Sequence, residues 1–131
     1  MPILGEQTAL FPETLLDETS PEAQERRWWV LYTKARQEKA VARDMLRAEV
    51  PFYLPLVKRR ILCGGRRLLT HLPLFPGYLF LFGSEEERIR ALATNRVVHT
   101  LGVPDPARLR HELRQLRLLV ASDAPLTVES R

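Results

Sequence analysis

The run Leu74-Phe75-Pro76-Gly77-Tyr78-Leu79-Phe80-Leu81-Phe82 is the most apolar stretch of the chain, and it constrains the fold more than any other. A Pro-Gly pair opens it. Read as a strand from Tyr78, it sends Tyr78, Phe80 and Phe82 to one face and Leu79 and Leu81 to the other. A strand that is apolar on both faces belongs in the middle of a sheet covered on both sides. The protein's own helices can cover one face, and either the same chain or a partner can cover the second. Composition alone favours burial wholly within the protein's own core.

The elements around this strand follow from pattern. Residues 28–33, Trp-Trp-Val-Leu-Tyr-Thr, have the aromatic and β-branched content of a strand. A helix is expected over residues 35–49. Val41, Met45 and Ala48, with Ala42 and Leu46, form its apolar stripe, and Arg36, Lys39, Arg43 and Arg47 make a basic ridge opposite. Val50-Pro51 ends it, because a proline disfavours helical backbone in the residue before it. Residues 52–56 and 58–63 read as extended. Gly64-Gly65 is a two-residue hairpin turn, and residues 66–72 return from it. Arg59, Arg60, Arg66 and Arg67 flank the tip, as a probe into a nucleic-acid groove or as the charges that keep a hairpin soluble.

Beyond the central strand, Ser84-Glu85-Glu86-Glu87 has the spacing of a capping box for a short helix to Ala93. Thr94-Asn95-Arg96 is a loop, residues 97–101 a strand, and Asp105-Pro106 the start of a last helix. Leu109, Leu113, Leu116 and Val120 are that helix's buried stripe. The order predicts an α+β fold with a mainly antiparallel, four-stranded sheet flanked by helices.

Charge is unevenly distributed. Residues 1–25 hold six acids and neither Lys nor Arg, leaving 20 basic and 10 acidic residues in 26–131. Seventeen of the basic residues are Arg, which suits forked contact to phosphate, so a polyanion partner competes evenly with a merely solvated basic surface. The acidic segment 1–25, with Pro2, Pro12 and Pro21, reads as a disordered tail. A sharper reading folds it back on the basic face to weaken non-specific nucleic-acid binding.

The 131 residues suit one domain with a tail. No apolar run approaches the ~20 residues of a membrane span, and the N-terminus lacks the pattern of a secretory signal. Cys63 is the single cysteine, so neither an internal disulfide nor a cysteine metal cluster is expected, in keeping with the cytoplasm. His71, His99 and His111 are far apart, and no GxSxG, P-loop, GxGxxG or CxxC occurs. No enzyme, metal or cofactor is expected.

Trp28 to Thr33, the basic-sided helix, Pro55, the Gly-Gly hairpin and above all Pro73-Leu74-Phe75-Pro76-Gly77-Tyr78-Leu79-Phe80 resemble the N-terminal (NGN) domain of the NusG family of transcription elongation factors. The resemblance runs from about Arg27 to Val120, and it implies an NGN-type α/β sandwich over residues 26–121. It implies binding to the clamp helices of the largest RNA polymerase subunit through a hydrophobic patch matched here by Phe75, Pro76, Tyr78 and Phe80. Lys34, Arg36, Asn95 and Arg96 match positions that approach upstream-fork or non-template DNA. Such a factor suppresses pausing and acts in elongation and antitermination; a monomer with no membrane contact is expected. The family adds a small C-terminal KOW barrel. Residues 122–131 read as the start of the linker to it, and the barrel is expected to be absent from this chain. A general factor and a specialised, RfaH-like paralogue both stay open, with the Pro- and Arg-rich character leaning toward the second.

The alternative is an RNA-binding module. Gly77 to Phe82 superficially resembles the aromatic RNP1 strand of an RRM, where rings stack on bases. Pro76 stands where that motif has Lys or Arg, and the element order fits poorly.

Overall fold

Strand pairing puts the Pro-Gly run where its two-faced pattern requires it. Residues 8–17 and 26–121 are described by the structure, a computed structural model. In chain order the elements are β1 (Leu10–Phe11), β2 (Arg27–Thr33), α1 (Glu38–Arg47), β3 (Phe52–Tyr53), β4 (Leu56–Cys63), β5 (Arg66–Pro73), β6 (Tyr78–Gly83), α2 (Glu85–Leu92), β7 (Val97–Gly102) and α3 (Pro106–Ala121). Five strands form an antiparallel sheet in the order β1-β3-β6-β2-β7, with β6 at its centre. Strands β4 and β5 pair as a separate two-stranded ribbon.

The α+β class and the antiparallel sheet are as expected; the strand count is five instead of four. The difference comes from residues 8–17, which lie in the segment whose acids and prolines predict a disordered tail. Here Leu10 and Phe11 pair with Tyr53 and Phe52, and Leu16 is only 1% exposed. Two leucines that reach a core outweigh local acidity and proline content. The rest of that tail, residues 1–7 and 18–25, and the expected linker, residues 122–131, lie outside the described residues.

The two faces of the sheet build two cores. On the first, Leu31, Leu79, Leu81 and Phe52 pack with Val41, Ala42 and Met45 of α1 and Ala91 of α2. On the second, Trp28, Phe82, Tyr53 and Leu10 pack with Leu113 of α3 and Leu16. Register explains the second cluster: Trp28 lies opposite Phe82 across β2 and β6, and their rings are 5.1 Å apart.

Helix α1 is shorter than its pattern suggested, with a physical cause at each end. Arg36 has φ +64°, outside the helical region, so the helix starts at Glu38. At the other end Glu49 takes φ +59°, Val50 N–H bonds to Met45 O at 2.9 Å and Glu49 N–H bonds to Leu46 O at 3.0 Å. These are the paired bonds of a Schellman cap, and they fold the chain back so that Val50 is buried. Helix α2 opens with the expected capping box. Ser84 Oγ accepts from Glu87 N–H at 3.2 Å, and Glu87 Oε1 accepts from Ser84 N–H at 2.8 Å.

Candidate functional site: an aromatic patch beside a basic junction

The helix that covers the second face reaches only half of it. Its cluster closes over Trp28 and Phe82, but further along the same strands Tyr32 and Tyr78 remain 42% and 41% exposed. These two tyrosines are direct partners across β2 and β6, with ring centroids 5.2 Å apart. Phe75 is 40% exposed and meets Phe80 edge-on at 6.2 Å. Leu101 of β7, paired with Val30, extends the same face at 51% exposure.

The Pro-Gly turn holds this patch in shape. Tyr78 N–H bonds to Phe75 O at 3.0 Å, with Pro76 second and Gly77 third at φ +90°. That is the residue pattern of a type II turn, whose third position requires a positive φ. Gly77 O accepts from Thr33 N–H at 2.8 Å, and Gly77 N–H donates to Glu38 Oε2 at 2.6 Å. A Cβ on Gly77 would lie 3.3 Å from Tyr32 Cε1, so the glycine also makes room for the ring pair.

All four residues matched to the patch, Phe75, Pro76, Tyr78 and Phe80, lie in or beside this turn. Tyr32 and Leu101 belong to the same surface, although the motif does not include them. Strand alternation puts Tyr32 on the face of Trp28 and Val30, but only the pairing register brings it beside Tyr78.

The four positions matched to DNA contacts come from two loops that the fold joins. Lys34 N–H bonds to Arg96 O at 2.9 Å, which sets the β2–α1 connection against the loop before β7. Lys34, Arg36 and Asn95 are exposed, and both Arg36 and Asn95 stand at φ +64°. Arg96 is placed differently: its Nε donates to Gln37 Oε1 at 3.1 Å, and its guanidinium bonds Asp44 Oδ2 at 3.2 Å. Arg96 thus fastens α1 to the β7 loop, and of these four positions the cations left open to an anion are Lys34 and Arg36.

A cleft of about 610 Å³ lies between junction, turn and ribbon, lined among others by Tyr32, Arg36, Glu38, Arg59 and Pro76. Glu38 at its edge is only 7% exposed. Elsewhere, burial pushes the Tyr53 hydroxyl up to about 12, with Arg117 pulling weakly the other way. Burial also acts to raise Glu87, but hydrogen bonds from Arg26 and Ser84 and the Arg26 charge outweigh it and hold the carboxyl below its usual range. Among the described residues no group of three His, Cys, Asp or Glu side chains could hold a metal ion. Among the same residues no helix is long and apolar enough to cross a membrane.

A family model described as "Transcription termination factor nusG" matches residues 26–117, most of the chain. No curated protein matches it. The chain therefore belongs to the NusG family, and with that membership it is a transcription elongation or termination factor that works with RNA polymerase.

Proposed function

We propose that the aromatic patch docks on the clamp helices of the largest polymerase subunit, through Phe75, Pro76, Tyr78 and Phe80 together with Tyr32. In this reading Lys34, Arg36 and Asn95 hold phosphates of the upstream fork or the non-template strand. Arg96 positions that loop from behind. The observation that carries the reading is the half-covered sheet face: one chain supplies a cover for Trp28 and Phe82 and leaves Tyr32 and Tyr78 open. Paired aromatic rings on a rigid sheet are efficient interface anchors, because little side-chain freedom is lost on binding.

Such a factor needs no covalent chemistry. Anchored on the polymerase at one surface and on DNA at the other, it binds the closed, elongating clamp more tightly than the paused one. A differential of about 1.4–2.7 kcal/mol lengthens or shortens pauses by roughly one to two orders of magnitude. Suppressed pausing gives antitermination, carried out by a cytoplasmic monomer.

The test is binding to core RNA polymerase, wild type beside Tyr78→Ala with Phe80→Ala. Micromolar or tighter binding that the double variant loses supports the patch. Binding that survives relocates the interface. Absence of polymerase binding, with single-stranded RNA bound through the same two rings, would replace this reading by the RNA-binding one.

A further inference from the structure

Ribbon β4–β5 is the large exposed feature that the polymerase patch does not use. Its base is buried at Leu56 and Val57, and every residue from Lys58 to Leu69 is exposed. Four of these are large and apolar: Leu62 at 72%, Leu69 at 60%, Leu68 at 44% and Ile61 at 39% exposure. Arg59, Arg60, Arg66 and Arg67 stand among them, all exposed and without an ion-pair partner among the described residues. No Asp or Glu occurs between residues 50 and 84.

The register sorts these side chains into two equivalent faces. On one, Arg60 lies opposite Leu69 and Leu62 opposite Arg67. On the other, Ile61 lies opposite Leu68, with Arg59 and Arg66 at the flanking pairs. Each face therefore carries two apolar side chains and two guanidinium groups. The ribbon has no core of its own, so fold stability does not explain four large apolar residues in water. Charge selects a polyanion as the partner. A membrane or a flat protein surface would call for a single apolar face; two like faces fit an object that passes on both sides of the ribbon.

We propose that the β4–β5 ribbon is a wedge for a strand junction in nucleic acid, with one separated strand along each face. Leu62 and Leu69 on one side, and Ile61 and Leu68 on the other, lie against the unstacked bases next to the last base pair. The flanking arginines hold the phosphates of both strands. The cleft that joins Arg59 to Arg36 makes this surface continuous with the basic junction. The wedge rests on the proposed DNA contact at Lys34 and Arg36 and assigns the ribbon the splitting of the fork itself.

The experiment uses the full chain and a forked DNA with 2-aminopurine at the junction, beside a fully paired duplex of equal length. Wild type is expected to raise the fluorescence of the junction base and to prefer the fork by about fivefold. Changing Ile61, Leu62, Leu68 and Leu69 together to Thr keeps strand propensity and should abolish both effects while leaving duplex affinity. Arg60→Gln with Arg67→Gln should weaken binding to both DNAs and reduce the salt slope by roughly two. A Thr variant that keeps the fluorescence rise and the fork preference overturns the wedge. If Lys34→Gln with Arg36→Gln then loses DNA affinity, the junction reading stands without it. If that variant binds DNA like wild type while the Thr variant loses the fork, the junction reading fails instead. Absence of DNA binding by wild type overturns both. Thr-sensitive binding to vesicles containing phosphatidylserine, without a junction signal, would assign the ribbon to a membrane surface.

Discussion

The carboxylate of Glu38, in the first turn of α1, accepts a 2.6 Å hydrogen bond from the backbone N–H of Gly77, in the turn that shapes the aromatic patch. Glu38 is nearly buried, so the bond is shielded from water. Together with the bond from Thr33 N–H to Gly77 O, it makes the patch and the basic junction one unit. Glu38→Ala leaves the Gly77 N–H without its partner and should cost about 1–3 kcal/mol in urea unfolding. Glu38→Gln keeps an acceptor and should cost less. Under the proposed docking, polymerase affinity should fall in the same order.

Gly77→Ala should be harmful for a different reason. The position holds φ +90°, where an L side chain is strained, and the added Cβ would press on Tyr32. A loss of about 1–3 kcal/mol is expected, with displacement of the Tyr32–Tyr78 ring pair. Thermal unfolding reads the first and tyrosine ring NMR signals the second. Unchanged values in both would remove the turn from the description of the patch.

Leu16 tests whether the N-terminal segment is part of the fold. It is buried against the cluster of Trp28, Tyr53 and Leu113, and Arg117 adds a 3.4 Å hydrogen bond to Glu13 O. Leu16→Ala should destabilise by about 2–5 kcal/mol, the range for a buried leucine. A disordered segment would give no change in the urea midpoint.

Arg96 and Lys34 should separate by the kind of defect they cause. Arg96→Ala removes the bonds to Gln37 and Asp44, so stability should fall by about 1–3 kcal/mol. Lys34→Ala should leave stability within about 0.5 kcal/mol, as expected for an exposed side chain. If Lys34 contacts a phosphate, its loss lowers the slope of log affinity against log salt by about 0.9. Equal slope changes for the two variants would show Arg96 reaching DNA directly.

Glu87 sets an acid limit. Its folded-state carboxyl lies below the ordinary value of 4.5 despite burial, through Arg26 and Ser84. A depressed carboxylate contributes stability that is present above its unfolded value and lost as pH falls through the folded one. Glu87→Gln should therefore be less stable than wild type at neutral pH. The gap should close as the pH falls below 4.5 and through the lower folded value. A constant gap across that range would assign the effect to packing.

Much of the fold was legible because its signals are local. The Ser84–Glu87 capping box, the Gly64-Gly65 turn, and Asp105 accepting from Arg108 N–H each involve residues within one turn of chain. Local signals also misled. Acids and prolines around Leu10 and Leu16 point to disorder, and only the packing of these two leucines with Trp28, Tyr53, Phe82 and Leu113 shows that the segment belongs to the fold.

Local pattern is enough to show that Tyr78 to Phe82 is a two-faced strand, that a Pro-Gly turn precedes it and that cations gather after β2. These follow from period, backbone restriction and composition, which neighbouring residues establish between them. Which part of each face stays open, and whether Lys34, Arg36 or Arg96 is engaged, follows from packing between distant segments. Tyr32 joins Tyr78 through a pairing register that a slip of one residue would reverse. Arg96 is engaged because α1 and the loop before β7 happen to meet at Asp44. Exposure and partnership depend on contacts between segments distant in sequence, and no local pattern carries them.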